Sequence, residues 1–241
     1  MPDQIYRVEG RDFGLGRRAK KDRRDFLVRE SPLRVTASEK TSAYWYMGGA
    51  WLDQNGHPHC VGYSWTHWLE DGPVSQEGIV GDASYADALY HQCQRNDEWP
   101  GEDYSGTSVR AGAKVLKSRG LIDSYYFAFD VESVKLQVLE RGPVVVGTSW
   151  YKSMFAPVRY DSRTYVCKVD ENSGRAGGHA YVLNGITLTK EIDGVRGFFR
   201  LKNSWGRDWA FEGRCLISVD DVAKLLEDDG EMCIAKERGS G

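Results

Sequence analysis

Cys60 opens an amphipathic stretch six residues after Gln54, in the run Gln54-Asn55-Gly56-His57-Pro58-His59-Cys60-Val61-Gly62-Tyr63-Ser64-Trp65. Two later segments complement it, Gly177-Gly178-His179-Ala180-Tyr181 and Leu201-Lys202-Asn203-Ser204-Trp205-Gly206. Together they supply a thiol, an imidazole, an amide able to orient the imidazole, and an amide donor ahead of the thiol. That set can attack an acyl carbon through a covalent intermediate. A thiol in the first turn of a helix feels the positive end of the macrodipole, which favours thiolate. A neighbouring imidazolium favours it further and can protonate the leaving group. Asn203 can fix the ring without adding charge. The Cys60 N–H and the Gln54 side-chain amide can meet a tetrahedral oxyanion.

Each residue alone is unremarkable: a Cys opening a helix is usually a packing residue, and Asn-Ser-Trp-Gly is often only a turn. The elements around them give the set its meaning. Val61, Trp65, Trp68 and Leu69 recur at helical spacing from Cys60, and Asp71-Gly72-Pro73 ends the run. A second helix is expected from an Asp82 cap with Ala86, Leu89, Tyr90 and Cys93 on one face, and a third near Thr107 with Val109, Ala113 and Leu116, stopped by Gly120. Gln94 to Ser105 reads as a loop. A fourth helix carries Val131, Val134, Val138 and Leu139, ending at Gly142-Pro143. The period then changes. Val144-Val145-Val146-Gly147 reads as a buried strand, with further strands over 179–187, 195–203 and 213–219 and a tight turn at Asp193-Gly194. Asp220 is expected to cap a last helix with Val222, Leu225 and Leu226. Helices first and strands later predict an α+β protein.

The 241 residues suffice for one sizeable core or two lobes sharing a cleft. A net charge of −3 gives no reason to expect nucleic acid as a partner. Residues 1–40 nevertheless hold 11 basic and 7 acidic side chains, and the run Arg17–Arg24 has six basic residues in eight. It is expected to be a solvated face, with a contact patch as the alternative. Five cysteines (60, 93, 167, 215 and 233) without CxxC spacing argue against a disulfide framework. No apolar run is long enough to span a bilayer, and an apolar leader is lacking, so a cytoplasmic protein without membrane contact is expected.

The three motifs resemble those of the papain-like cysteine peptidases, particularly compact bacterial-type members. Weaker echoes occur at Gly106-Thr107-Ser108-Val109-Arg110, Gly142-Pro143-Val144-Val145-Val146 and Arg24-Asp25-Phe26, so the resemblance spans roughly residues 23–235. His179 lies 119 residues and Asn203 143 residues beyond Cys60, against about 130–150 in that family. The resemblance implies a two-lobed fold, a helical lobe facing a β-barrel-like lobe across the active-site cleft. Residues 1–47 would be an N-terminal extension partly packed on the β lobe. Residues 48–241 would be the peptidase domain, helical over about 48–125 and β-rich over about 126–219, with a C-terminal helix over 220–227. It implies Cys60 as nucleophile, His179 as acid/base, Asn203 as orienting amide and Gln54 as oxyanion donor. Ser105, Gly106 and Gly178 would meet an extended polypeptide substrate, and Trp205 would shield the His–Asn hydrogen bond. No cofactor or metal is implied.

The chain departs from the family at Gly56-His57-Pro58-His59, where a glycine-small pair and a second cysteine are usual, and at Val61, where an aromatic is common. His59 is placed to perturb the thiol. The stretch before Cys60 is too short for the family's helical inhibitory propeptide, so residues 1–40 are expected to pack as strand and tail on the β lobe, the alternative being that they fold over the cleft. Competing readings are a transglutaminase-like acyl transferase, a non-catalytic papain-like binding protein, and a metal site on His57-x-His59-Cys60. The transferase generally uses Asp where this chain has Asn203, and Pro58 restricts the metal-site geometry.

Overall fold

The computed structural model describes residues 4–20, 39–73, 79 and 81–239. Two strands, β1 (Gln4–Val8) and β2 (Arg11–Leu15), form an antiparallel sheet of their own. A short β3 (Ser42–Tyr44) follows, then three helices: α1 (Cys60–Asp71), α2 (Ala83–Asn96) and α3 (Val109–Ser118). Asp82 caps α2 through the Tyr85 N–H, and Ser108 caps α3 through the Ala111 N–H. Next come β4 (Ile122–Ala128), α4 (Val131–Glu140) with its Asp130 cap, β5 (Val144–Tyr151), β6 (Val158–Arg159), β7 (Tyr165–Cys167), β8 (Arg175–Ile192), β9 (Val195–Lys202) and β10 (Arg214–Ser218). The chain ends with α5 (Val219–Glu227) and β11 (Glu231–Glu237). Ser218, not Asp220, caps α5, because its hydroxyl reaches the Asp221 N–H while Asp220 is already in the first turn. The acidic first turn misplaced the boundary by two residues.

A nine-stranded sheet runs in the order β4-β11-β5-β8-β9-β10-β7-β6, with β3 pairing β8. The expected barrel-like closure does not occur. Among the described residues β4 and β6 stand at opposite ends of the sheet, and the exposed two-residue β6 is too short to close it. The fold is mixed α+β, with a helical region and a large open sheet.

One apolar cluster joins α1, α2 and α3 with Val145, Ala180, Val182 and Cys233 of the sheet. A larger one lies under α4 and α5 and includes Trp150, Tyr181, Phe199, Trp205 and Ile217. α1 therefore packs directly on β8, and its first residue comes to the strand that carries His179. A buried ion pair locks this crossing: Lys202 Nζ lies 2.9 Å from Asp71 Oδ1, both side chains fully inaccessible, and Asn184 donates to the other carboxylate oxygen. Lys202 is the last residue of β9, so the pair ties the residue before Asn203 to the last residue of α1.

Candidate active site

Cys60 is fully buried at the start of α1. Its backbone environment is the loop 54–59 on one side and β8 on the other, where the Ala180 N–H reaches the sulfur. His179 sits on β8 opposite Thr148 of β5. Asn203 follows β9, its N–H bonded to the Gly213 carbonyl. The Asn203 Oδ1 accepts from the Ser204 N–H at 2.9 Å and lies 2.8 Å from His179 Nε2. An oxygen that already accepts requires Nε2 to be the donor, so the neutral ring carries its proton there and Nδ1 is a bare acceptor. Nδ1 is buried with no hydrogen-bond partner among the described residues.

Trp205 stacks on the imidazole at 4.5 Å, and the edge of Trp150 meets it at 4.8 Å. Trp205 is buried among Phe13, Phe155 and Trp209, so it lies over the imidazole rather than along the open groove. Gln54 joins the same network. Its N–H bonds to the Ser204 carbonyl at 2.9 Å, and its Oε1 accepts from the Ser204 hydroxyl at 2.6 Å. Its Nε2 donates to the carbonyls of His57 and, at 3.0 Å, of Gly14.

That last bond reveals what the cleft holds. Residues 14–18 run through it in extended form. The Arg17 N–H donates to the Gly178 carbonyl at 3.0 Å, the Arg18 N–H to Thr107 at 2.9 Å, and the Thr107 N–H to Gly16 at 2.9 Å. Leu15 is buried, and the Gly16 amide approaches the Cys60 sulfur. Two positions admit the segment only because they are glycine. A Cβ on Gly178 would stand 2.2 Å from the Arg17 carbonyl oxygen, and one on Gly106 2.3 Å from that of Gly16. Gly106 also has a positive φ of 83°, and its N–H is held by the Tyr90 hydroxyl at 2.9 Å. Ser105 lines the adjoining groove, but Thr107 makes the ladder bonds.

The segment changes the electrostatics. Burial pushes the Cys60 thiol up to about 11, against which the amides of Ala180 and Gly16 pull only weakly. Burial likewise holds the His179 imidazole down to about 4 despite its bond to Asn203. Burial of the sulfur therefore opposes the thiolate expected from the helix dipole. A screened helix end yields less than the removal of all water from the sulfur costs. His59, beside the thiol in sequence, turns away: its Nδ1 lies 2.8 Å from Asp87 Oδ1 and its ring stacks on Tyr90 at 4.0 Å.

The basic run is not a solvated face at its start. Arg17 is 4% exposed, Arg18 lies against the rings of Trp99 and Tyr104, and Lys20 donates to the Glu98 carbonyl. Residues 21–24, and the Arg24-Asp25-Phe26 segment, lie outside the described residues. No sequence pattern assigned a site role to Trp99, Tyr104 or Glu231, and residues 14–18 entered only through the alternatives that residues 1–40 fold over the cleft or that the basic run is a contact patch. The available signal was Gly14-Leu15-Gly16-Arg17-Arg18, two small residues where a chain must pass close to others, followed by paired cations. The five cysteines are all buried, and none forms a disulfide.

Neither a family model nor a curated protein matches this sequence. Solved structures do. Digestive procathepsin L 3 of Tenebrio molitor larval midgut superposes with a TM-score of 0.61 at 16% identity, over 85% of this chain and 72% of that one. Xylellain, a cysteine protease from Xylella fastidiosa, gives 0.60 at 14% identity over 93% and 91%. The bromelain protease from Ananas comosus, in complex with the E64 inhibitor, gives 0.57 at 14% identity over 83% and 100%. The fold is papain-like. The expectation of a cytoplasmic protein is overturned by the same neighbours. One is a digestive enzyme of the larval midgut, so chains of this fold work outside the cytoplasm. Among the described residues no helix is long and apolar enough to cross a membrane.

Proposed function

We propose that this chain is a thiol-dependent endopeptidase working through Cys60, His179, Asn203 and Gln54, with residues 48–241 as the peptidase domain and residues 1–47 as an extension. The observation that carries this reading is the His179 Nε2–Asn203 Oδ1 bond of 2.8 Å beneath Trp205, which leaves Nδ1 as a buried acceptor beside the residue, Ala180, whose amide meets the Cys60 sulfur. The papain-like fold supports it.

In the reaction, His179 Nδ1 takes the Cys60 proton and the sulfur attacks the substrate carbonyl carbon. The oxyanion is held by the Cys60 N–H and the Gln54 side-chain amide, a pair of donors that costs about a hundredfold or more in rate when one is lost. The imidazolium returns its proton to the leaving amine as the C–N bond breaks, and water then hydrolyses the thioester by the same route in reverse. Asn203 Oδ1 accepts the hydrogen bond from Nε2–H throughout, so the ring cannot rotate between the two steps. Gly178 and Thr107 offer the backbone groups that an extended substrate needs.

The test is treatment of the full chain, and of a Gly16→Ala form with a loosened cleft segment, with an epoxysuccinyl thiol probe, followed by mass mapping and a casein assay. Selective labelling of Cys60 over Cys93, Cys167, Cys215 and Cys233, with proteolysis lost in Cys60→Ala, is the expected result. Indiscriminate labelling, or proteolysis that survives Cys60→Ala, would sink the reading.

A further inference from the structure

The segment that fills the cleft places two cations in seats built by the rest of the protein. The Arg17 guanidinium is buried against β11: its Nε lies 3.1 Å and its Nη2 3.0 Å from Glu231 Oε2, and Nη2 donates to the Asp229 carbonyl at 2.6 Å. The two side chains are 1% and 8% exposed. Gly147 forms one wall of this seat, since a Cβ there would stand 3.0 Å from the Arg17 side chain. Arg110 and Glu98 are the other charged groups that Glu231 feels.

The second seat is a corner made by two aromatic rings inclined at 66° to one another. The Arg18 guanidinium lies 4.2 Å from the Trp99 ring centre and 4.3 Å from that of Tyr104. Tyr104 is braced by its hydroxyl on Asp97 at 2.7 Å. Arg18 Nη1 is buried and finds no hydrogen-bond partner among the described residues, so stacking rather than hydrogen bonding holds it. Beside residues 15–19 the groove continues as a cavity of about 480 Å³ bounded by Trp99, Tyr104, Ser105, Arg175 and Gly177. The segment occupies the groove without filling it.

These seats belong to the host, not to the guest. If residues 14–18 leave, Glu231 keeps its almost inaccessible position but loses its cation, and a cation entering the same place restores the pair. Two aromatic rings beside it, inclined at 66° to one another, suit a delocalised guanidinium better than a compact, strongly hydrated ammonium. We propose that the cleft selects polypeptides carrying two adjacent basic residues, arginine above lysine, with Glu231 reading the first charge and the Trp99–Tyr104 corner the second. This rests on the peptidase reading and names its substrate class. Residues 14–18 then act as the chain's own occupant of the site, seated by the same recognition.

The experiment uses the full-length chain with Arg17→Ala and Arg18→Ala, which empties both seats without touching Cys60, His179, Asn203 or Gln54. Short quenched peptides, identical except for an Arg-Arg, Lys-Lys or Leu-Leu pair stepped along the sequence, are assayed for kcat/KM, and cleavage sites are mapped by mass spectrometry. In parallel, fluorescence anisotropy measures binding of the same peptides to this form with Cys60→Ala added. Arg-Arg in one register is expected to exceed Leu-Leu by about thirtyfold or more, the range for an entering cation that pairs with a buried carboxylate. Glu231→Gln should remove most of that preference, and Trp99→Ala should weaken the second position alone, a check that stands if the Glu231 variant does not fold. Leu-Leu peptides bound and cleaved as well as Arg-Arg, or a preference untouched by both variants, would overturn the proposal. Cleavage without preference removes the subsite and leaves the peptidase reading. Arg-Arg binding without any cleavage does the reverse.

Discussion

Gly16→Ala is the most direct probe of the closed cleft, because it acts on the occupant and not on Cys60, His179, Asn203 or Gln54. A Cβ at Gly16 would stand 1.9 Å from the Pro58 carbonyl oxygen. Ordinary contact would require a shift of roughly 1.3–1.5 Å, more than hydrogen bonds of this length tolerate before passing about 3.5 Å. The bonds at stake are Thr107 N–H to Gly16, Arg17 N–H to Gly178 and Arg18 N–H to Thr107, at 2.9–3.0 Å. The blocking atom is backbone, so no side chain can rotate away. Burial of Leu15, worth about 1.5–3 kcal/mol, opposes release but cannot act through an overlap of that depth. Water then returns to the sulfur. Burial is the largest cause of the thiol's rise from 9.0 to about 11, so its removal outweighs the loss of the Gly16 amide. At pH 7 the thiolate fraction would go from roughly 1 in 10⁴ to roughly 1 in 10², about a hundredfold in alkylation rate from ionisation alone. The assay is iodoacetamide labelling of Cys60 against pH, with the four other buried cysteines as internal controls. Equal rates in the two forms, or a pH profile that does not move toward neutrality, would refute the idea that residues 14–18 seal the site.

Two further perturbations follow from the buried titratable groups. Lys202→Ala leaves the fully inaccessible Asp71 without its cation and should cost about 3–5 kcal/mol, read as a lowered urea midpoint. A parallel loss of activity is expected, because the residue lies next to Asn203. His179, held neutral with a pKa of about 4 against an ordinary 6.5, makes the folded chain bind fewer protons than the unfolded one as pH falls below 6.5. Stability present above that pH is therefore lost between pH 6.5 and about 4, by at most about 3 kcal/mol from this group. His179→Phe should flatten that part of a denaturation-against-pH curve, and an unchanged slope would count against the buried neutral imidazole.

Much of the site could be read from the chain because its chemistry is local in type and its elements announce themselves. The apolar spacing from Cys60 through Leu69 leads to α1 with its first residue in place, and Asp82 caps α2 as expected. The strand carrying His179 was recognisable but shorter than β8, which runs from Arg175 to Ile192 because it pairs with β5, β9 and β3 in turn. β4 and β11 passed unrecognised. Ile122–Ala128 carries three aromatic residues and mixes burial on both faces, and Glu231–Glu237 begins and ends on buried glutamates, so neither shows clean alternation.

What the sequence by itself determined is the inventory of this protein: one thiol at a helix start, one imidazole on a strand, amides at Gln54 and Asn203, and the helical and β-rich halves that bring them together. Residue types and periodicity suffice for that, since both are properties of neighbours along the chain. Only the tertiary structure decided the state of the site. Whether Cys60 rests as thiol or thiolate depends on water, and residues some 45 positions earlier in the chain exclude it. Glu231 became part of the cleft only through β11 pairing beside β5. No local pattern carries such facts, because burial and charge pairing across more than two hundred residues exist only once the chain has closed on itself.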